Sequence, residues 1–293
     1  MNSANGAAVV VGVDGSEAAS RAVRLAAREA DRRHRPLRVV HGFIWPLLRV
    51  PVSAPAQAPP GAGLRHQAER LVAEAVTQAQ AECPGLRITG EIIDGEAAAV
   101  LLGESPAAAL VVLGDRGLGG FAALVLGSVA VQVAAHADCP VLIARGADRP
   151  AGPVVVGVDG SELSRAAVEF AAATASTRGA RLHAVHAYTH PASHGAGDMQ
   201  PLVYEEGELR GEEYQVLTEA LTGIEERWPD VPVTRAVVHA RPVAALTGAA
   251  RDAQLLVVGR QGRGELSGLL LGSVSQGVLH RADCPVAVVR APD

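Results

Sequence analysis

The chain has 293 residues, enough for one large domain or two domains of ordinary size, and 48% of them are hydrophobic while 3% are aromatic. The formal net charge of −5 argues against non-specific binding to nucleic acid or to anionic membranes. The sequence contains no lysine, which excludes any mechanism that needs an amine nucleophile, a Schiff base or the phosphate-binding lysine of a Walker loop.

Strand and helix patterns alternate along the first half of the chain. A continuous apolar run over Val9–Val13 predicts a strand buried on both faces, and a helix follows from Ser16 to about Arg33. The next predicted elements are a strand over Leu37–His41, an irregular Pro-rich passage over 43–63, a helix near Leu64–Ala81, a strand near Leu86–Ile93, a short helix near Glu96–Glu104, a strand over Leu110–Leu113, a helix over Ser128–His136 and a strand over Val141–Ala144. This alternation predicts a parallel sheet with helices on both faces.

The second half of the chain repeats the first half at an offset of 145 residues. VVVGVDGSE occurs at 9–17 and again at 154–162, and ADCPV occurs at 137–141 and at 282–286. A repeat of this length indicates a tandem duplication of a whole domain. We therefore expect one domain over residues 1–146 and a second over 152–293, joined by the Gly-, Pro- and charge-containing stretch 144–152.

Each half carries the same glycine spacing, G-x2-G-x9-G-S, directly after its fourth predicted strand; we term it the glycine pattern. Its residues are Gly114, Gly117, Gly127 and Ser128 in the first half and Gly259, Gly262, Gly272 and Ser273 in the second. Glycine lets a ligand approach the backbone, and the free N–H groups at a helix start bind anions. The pattern therefore predicts a phosphate site in each half, although tight strand-to-helix turns would also use glycine. It is neither a Walker loop, since no lysine follows, nor the dinucleotide fingerprint, which follows strand one.

An aspartate ends the first predicted strand of each half, at the sheet edge where parallel sheets bind ligands. These residues are Asp14 and Asp159, and each is followed by Gly-Ser. An aspartate in this position also fixes turns and caps helices, so the two roles stay open together. Ser16 and Ser161 are predicted to be helix N-caps.

The aspartate after strand one and the glycine pattern after strand four together resemble the ATP-binding class of the universal stress protein family. The resemblance covers both halves, as in tandem members of that family. It implies an α/β fold of two tandem doubly wound domains, each a five-stranded parallel sheet flanked by helices (adenine nucleotide alpha-hydrolase-like). It also implies one ATP site in each domain, with magnesium bound mainly by the ATP phosphates.

The resemblance further implies which residues contact the nucleotide. Asp14 and Asp159 would face adenine and ribose, the backbone of Gly42 or Ala187 would contact adenine, and the glycine patterns would hold ribose and triphosphate. The implied nucleotide-binding residues are Gly12, Asp14, Gly42, Gly114, Arg116, Gly117, Leu118, Gly119, Gly120, Gly127, Ser128 and Val129, with Gly157, Asp159, Ala187, Gly259, Gly262, Arg263, Gly264, Gly272, Ser273 and Val274 in the second half. The loops differ, DRGLGG at 115–120 against RQGRGE at 260–265, which leaves room for unequal affinities.

The remaining histidine and cysteine residues do not predict a metal site. His183 and His186 lie three apart on a predicted strand and point to opposite faces, so they are interpreted as solvated histidines. The three cysteines are too few for a disulfide framework or a zinc site, and Cys139 and Cys284 are predicted to be small apolar filler before a buried strand.

Several functions stay open at this point. The first is an ATP-binding regulator of stress response or growth. The others are a slow ATPase or self-phosphorylating enzyme, for which no catalytic residue can be named, and a nucleotide-free interaction scaffold. An adenylating enzyme would need an SGGxDS-type loop after strand one, which VDGSE does not supply.

Location and assembly are also expectations at this stage. The N-terminus lacks the pattern of a signal peptide and no apolar run reaches the ~20 residues of a membrane span, so we expect a soluble, cytoplasmic protein. The last strands, VLIAR and VAVVR, are short and apolar, and such edges need a partner. The family resemblance implies that the two domains pack as an internal pseudo-dimer. A further homodimer and an unidentified regulatory protein partner are expected, with no nucleic acid or membrane partner.

Overall fold

The structure, a computed structural model, describes residues 7–44, 62–118, 126–189, 206–262 and 271–291. The chain divides into two compact units, Met1–Arg145 and Gly146–Asp293. Most of the predicted Pro-rich passage, residues 45–61, lies outside the described residues. Among the described residues, no helix combines the length and the apolar character needed to cross a bilayer.

The first unit alternates strands and helices, as the sequence predicts. Its elements are β1 (Ala8–Gly12), α1 (Glu17–Arg32), β2 (Leu37–Phe43), α2 (Ala62–Glu82), β3 (Ile88–Asp94), α3 (Ala97–Glu104), a 3-10 turn (Ser105–Ala107), β4 (Ala108–Gly114), α4 (Ser128–His136) and β5 (Val141–Ala144). The alanines of α1, such as Ala22, Ala26 and Ala30, are fully buried and let the helix lie close to the sheet. Strand β1 ends at Gly12, so Asp14 lies in the connection after the strand.

The five strands of the first unit form a parallel sheet in the order β3-β2-β1-β4-β5. Val11 of β1 pairs with Val39 of β2 on one side and Val112 of β4 on the other, and all three are completely buried. Helix α1 packs with α2 and α3 packs with α4, as in a doubly wound sheet. The connections leave β1 in one direction and β4 in the other, so the switch point lies between these strands.

The second unit has the same construction. Its elements are β6 (Val154–Val158), α5 (Glu162–Arg178), β7 (Leu182–Tyr188), α6 (Glu206–Ala220), α7 (Ile224–Arg227), β8 (Val233–His239), α8 (Pro242–Ala249), β9 (Leu255–Gly259), α9 (Ser273–Arg281) and β10 (Val286–Val289). Its strands are parallel in the order β8-β7-β6-β9-β10. The switch point lies between β6 and β9, the counterparts of β1 and β4.

Serine N-caps start the first helix of each unit. Ser16 Oγ accepts a hydrogen bond from the N–H of Ala19 at 3.1 Å, and Ser161 Oγ accepts one from the N–H of Ser164 at 3.1 Å. Both predicted capping roles are confirmed.

Candidate functional site

A cavity of about 370 Å³ opens beyond the carboxyl ends of β1 and β4, at the switch point of the first unit. Its lining contains the residues implied for a nucleotide site: Gly12, Asp14, Gly42, Gly114, Arg116, Gly117, Leu118, Gly127, Ser128 and Val129. Gly119 and Gly120 lie outside the described residues. The fold thus gathers positions that are more than 110 residues apart in sequence around one space.

Asp14 joins the two connections that border this cavity. Its Oδ1 accepts a hydrogen bond from the N–H of Ser16 at 3.0 Å, which fixes the turn after β1. Its Oδ2 accepts one from the N–H of Leu118 at 2.9 Å. Leu118 belongs to the glycine loop, defined here as Gly114–Leu118, so this carboxylate fastens the loop after β4 to the turn after β1.

Two glycines of the pattern make close contacts within the protein itself. A Cβ on Gly114 would lie 2.6 Å from the carbonyl carbon of Ala18, so α1 can approach the strand end only because this residue is glycine. A Cβ on Gly117 would collide with Oδ2 of Asp14. Turn formation and close packing therefore explain part of the pattern without any ligand.

Gly127 is different, because the described residues leave room for a side chain there. A Cβ on Gly127 would have its nearest neighbour, Cα of Arg116, at an ordinary 3.5 Å, and the φ of −73° suits any residue. Gly127 is the N-cap of α4, and its N–H donates to the carbonyl of Asp115 at 2.8 Å. The following N–H groups of Ser128, Val129 and Ala130 have no partner within the helix, and all three residues line the cavity.

Charged side chains flank the glycine loop on both sides. Arg21 of α1 forms an ion pair with Asp115, Nη2 to Oδ1 at 3.0 Å, and thereby anchors the loop to α1. Arg116 lines the cavity with its side chain 52% exposed, and its Nε lies 4.0 Å from Oδ2 of Asp115, a loose ion pair beside the start of α4. Free N–H groups at a helix start and an arginine beside it are groups that bind anions in proteins.

The other end of the cavity is apolar and closely fitted. Val40, Leu101 and Leu113 line it, and a Cβ on Gly42 would lie 2.8 Å from Cα of Ala97 at the start of α3. His41 Nδ1 lies 2.7 Å from the carbonyl oxygen of Val13. Because a carbonyl only accepts, this ring nitrogen carries the hydrogen, and the contact holds the end of β1 against β2.

The second unit has a smaller cavity, about 260 Å³, at its own switch point. It gathers Gly157, Asp159, Ala187, Gly259, Gly262, Gly272, Ser273 and Val274. Arg263 and Gly264 lie outside the described residues. A Cβ on Gly262 would collide with Oδ2 of Asp159, and Asp159 Oδ1 accepts hydrogen bonds from the N–H and Oγ of Ser161 at 2.9 and 2.6 Å.

The interpretation of His186 as a solvated histidine was wrong, since only 5% of the residue is exposed. Its Nδ1 lies 2.7 Å from the carbonyl oxygen of Val158, and its Nε2 lies 2.6 Å from Oε2 of Glu213 in α6. Burial lowers the pKa of His183, whose Nδ1 lies 2.9 Å from Oγ1 of Thr234. In the described part of the chain, no three His, Cys, Asp or Glu side chains come together as metal ligands.

The sequence analysis did not predict a further set of residues that line the two cavities beside the glycines. They are Val13, Ala19, Val40, Ala97, Leu101, Leu113, Leu126 and Ala130 in the first unit and Val158, Ser164, Val185, Pro242, Leu246, Val258, Gln261 and Ser275 in the second. Most come from the first turns of helices, or from strand ends, where the sequence shows only an apolar residue. The start of α3, and its counterpart in α8, could have been included because both follow a strand at the carboxyl edge of the sheet.

Comparison with known proteins identifies the family to which this chain belongs. The sequence model of the universal stress protein family matches residues 7–145 and, again, residues 151–290. The chain belongs to the universal stress protein family. It contains two tandem domains of that family, as the resemblance in sequence predicted.

Named relatives agree with the family assignment, and a solved structure agrees with the fold. A universal stress protein of Mycolicibacterium smegmatis is 39% identical over 303 residues, and the match covers 99% of this chain and 99% of that protein. One from Mycobacterium tuberculosis is 37% identical over 309 residues, covering 97% of this chain and 95% of that protein. The crystal structure of a universal stress protein from Archaeoglobus fulgidus superimposes with a TM-score of 0.67 at 20% identity, covering 98% of this chain and 97% of the other. The predicted fold of tandem α/β domains with parallel sheets is confirmed.

Proposed function

We propose that each domain binds one ATP molecule and that nucleotide occupancy makes the chain a regulator of stress response or growth. In this proposal the phosphates lie between the glycine loop and the start of the following helix. The adenine lies at the apolar end, beside the backbone of Gly42 or Ala187. Membership of the universal stress protein family and the shape of both cavities support it.

The single observation that carries the proposal is the glycine at the N-cap of α4. Serine, threonine, aspartate and asparagine cap a helix start with their side chains and occupy one of its free N–H groups. Gly127 has space for such a side chain among the described residues, yet it leaves the N–H groups uncapped toward the cavity. An anionic ligand that needs those N–H groups explains this choice, whereas a tight turn alone does not.

The proposal assigns no catalytic residue. Asp14 is the one carboxylate among the described residues that line the first cavity, and both of its oxygens already accept backbone N–H groups. These two hydrogen bonds orient the carboxylate toward the turn and the glycine loop, whereas a general base has to be oriented toward the attacking water. We therefore favour binding and regulation over hydrolysis, with magnesium held mainly by the ATP phosphates.

The effect of occupancy in this proposal is a change in the partners that the chain binds. The phosphates would order the glycine loop, whose exposed Leu118 lies at the mouth of the first cavity. A homodimer of the chain and a separate regulatory protein are the partners that we propose.

Calorimetric titration with ATP and magnesium, together with the Gly127→Ser variant, tests the proposal. We expect about two ATP molecules per wild-type chain. In the variant, the new hydroxyl should cap α4 and occupy the N–H of Ala130, so one site should lose at least about tenfold in affinity. The melting temperature should stay the same or rise, because serine is a good N-cap.

Gly103→Ser is the matched control, because Gly103 is exposed on α3 and a Cβ there meets nothing within 4 Å. It should leave both sites unchanged. Absence of ATP binding in the wild type, or two unaltered sites in Gly127→Ser, would contradict the proposal.

A further inference from the structure

The glycine loop of the first unit is joined to α1 by an ion pair that the second unit cannot form at the same positions. Arg21 Nη2 donates to Oδ1 of Asp115 at 3.0 Å. At the offset of 145 residues, the corresponding residues are Ala166 and Arg260. An alanine carries no charge, so α5 offers Arg260 no ionic partner at this place. The contact therefore distinguishes the first domain from the second.

Asp115 acts on the first cavity through its backbone. Its side chain is only 10% exposed and is directed to α1 by Arg21. Its carbonyl oxygen accepts the N–H of Gly127, the N-cap of α4, at 2.8 Å. Of the described residues, Gly114 and Arg116 on either side of it line the cavity, whereas Asp115 and Arg21 do not. One residue thus connects α1, the glycine loop and the start of α4.

The unit that has the ion pair also has the closer contact between its first helix and the loop. A Cβ on Gly114 would lie 2.6 Å from the carbonyl carbon and 2.8 Å from the carbonyl oxygen of Ala18. In the second unit, a Cβ on Gly259 would lie 3.3 Å and 3.2 Å from the corresponding atoms of Leu163. The first loop is therefore nearer to its helix, in the direction in which the ion pair attracts it.

The turn itself forms without the ion pair. In the second unit, the N–H of Gly272 donates to the carbonyl of Arg260 at 2.8 Å, the same length as in the first. The contribution of Arg21 is therefore to the position of the loop against α1, since the backbone hydrogen bond does not depend on it. Its loss should move the loop while the fold is retained.

We propose that Arg21 is a positioning residue for the first nucleotide site. Through Asp115 it holds the glycine loop and the N-cap of α4 in the arrangement that accepts phosphates, and it makes that arrangement depend on the position of α1. The second site does not depend on its first helix in this way. This inference rests on the proposed nucleotide-binding function.

Calorimetric titration of full-length Arg21→Ala with ATP and magnesium tests the inference. One of the two sites should weaken at least about fivefold and the other should keep its affinity, because Asp115 loses its charged donor and the loop its contact with α1. Arg21→Lys should recover part of the lost affinity, since an ammonium group retains the charge and can donate to Oδ1. A residue that only stabilised the fold would not produce a change confined to one site.

Two controls assign the effect to this pair and to the first site. Arg24→Ala makes the same change one turn further along α1, at a partly exposed position outside the described lining, and should leave both sites unchanged. Adding Arg21→Ala to Gly127→Ser, whose first site is already impaired, should leave the remaining site unchanged. Arg21→Ala combined with Asp115→Ala should bind no more weakly than Asp115→Ala alone, because the two residues act as a unit.

Two unaltered sites in Arg21→Ala, or equal weakening of both, would overturn the inference. Arg21→Lys binding no more tightly than Arg21→Ala would also overturn it. If Arg21→Ala does not fold, Asp115→Asn provides the same comparison, because it removes the charge and keeps an acceptor oxygen. Absence of ATP from both wild-type sites would instead overturn the proposed function, so the two failures are distinguishable.

Discussion

Oδ2 of Asp14 accepts a hydrogen bond from the backbone N–H of Leu118 at 2.9 Å, across 104 residues of sequence. A carboxylate at the end of β1 thus holds the glycine loop that follows β4. Its other oxygen accepts from Ser16 at 3.0 Å, so one side chain determines the relative position of both walls of the first cavity. The aspartate acts on the site through the backbone, whatever it contacts in a ligand.

Replacing Asp14 by asparagine should loosen the glycine loop. An amide keeps only one acceptor oxygen, so its NH2 group would face either the N–H of Ser16 or that of Leu118. We expect the amide that meets this NH2 group, that of Leu118 or that of Ser16, to exchange with solvent at least about tenfold faster, corresponding to the loss of one charge-assisted hydrogen bond. Hydrogen exchange measures this directly, with Asp31→Asn on the exposed face of α1 as the control. Unchanged exchange at both Leu118 and Ser16 would mean that Asp14 does not join the loop to the turn after β1.

Alanine at two glycines of the same pattern should have different effects on stability. In Gly114→Ala, the new Cβ would overlap the backbone of Ala18, so α1 must shift at a cost of about 1–3 kcal/mol. Gly127→Ala meets only ordinary contacts, and the weaker N-cap should cost less than about 1 kcal/mol. Thermal unfolding of the two variants tests the difference. Equal losses would show that Gly127 is also required by packing.

The three cysteines should differ in their reaction with a thiol reagent. Burial raises the pKa of Cys139 to about 11, so only about one thiol in a thousand is ionised at pH 8. Cys284 is fully buried, whereas Cys83 is partly exposed although burial raises its pKa as well. We expect Cys83 to be labelled first in the native protein, and Cys139 and Cys284 only in urea. The thiolate fraction of Cys139 should rise with pH and reach one half near pH 11.

Mass spectrometry of the labelled peptides measures this order. Native labelling of Cys139 at the rate of Cys83 would show that the strand start at Val141 opens readily. Labelling of all three only after unfolding would show that Cys83 is protected as well.

Glu213 should stabilise the second domain through His186. Nδ1 of His186 donates to Val158, so its Nε2 faces the carboxylate of Glu213 with one proton between the two atoms. Glu213→Leu leaves the buried ring nitrogen without this partner and should cost about 1–3 kcal/mol. Glu213→Gln can donate to a neutral ring and should cost less. Thermal unfolding of both variants measures the difference, with Glu212→Leu on the exposed face of α6 as the control. Equal stability of the leucine and glutamine variants would contradict this role.

Much of the fold could be predicted because the sequence patterns of single helices and strands match the elements that the structure contains. Helix α4 runs over Ser128–His136 as predicted, since the Gly-Ser start and the following apolar residues are local features. Because the second half repeats the first at an offset of 145 residues, the elements predicted for the first domain also predicted those of the second. Strand β2, in contrast, continues past the predicted His41 to Phe43, because pairing with β3 extends that far. Pairing between strands is a tertiary effect that a single strand does not encode.

The details of the site depend on contacts between distant residues, and the sequence does not show them. The glycine pattern predicts close approach, but not that Ala18 and Asp14 are what approach Gly114 and Gly117. Likewise, Glu213 meets His186 from a helix 27 residues further along the chain. Spacing rules apply to residues that are close in sequence, so they do not detect this pair. The sequence alone therefore led to the interpretation of His186 as a solvated histidine.

The most direct test of the central claim is to identify the nucleotide that the protein carries. Freshly purified protein is denatured, and the released small molecules are identified and quantified by chromatography and mass spectrometry. We expect adenine nucleotide at about two molecules per chain in the wild type and about one in Gly127→Ser, with both proteins equally folded. A chain that releases no nucleotide and takes up none from a solution of ATP and AMP would contradict the account and leave both glycine patterns as elements of packing alone.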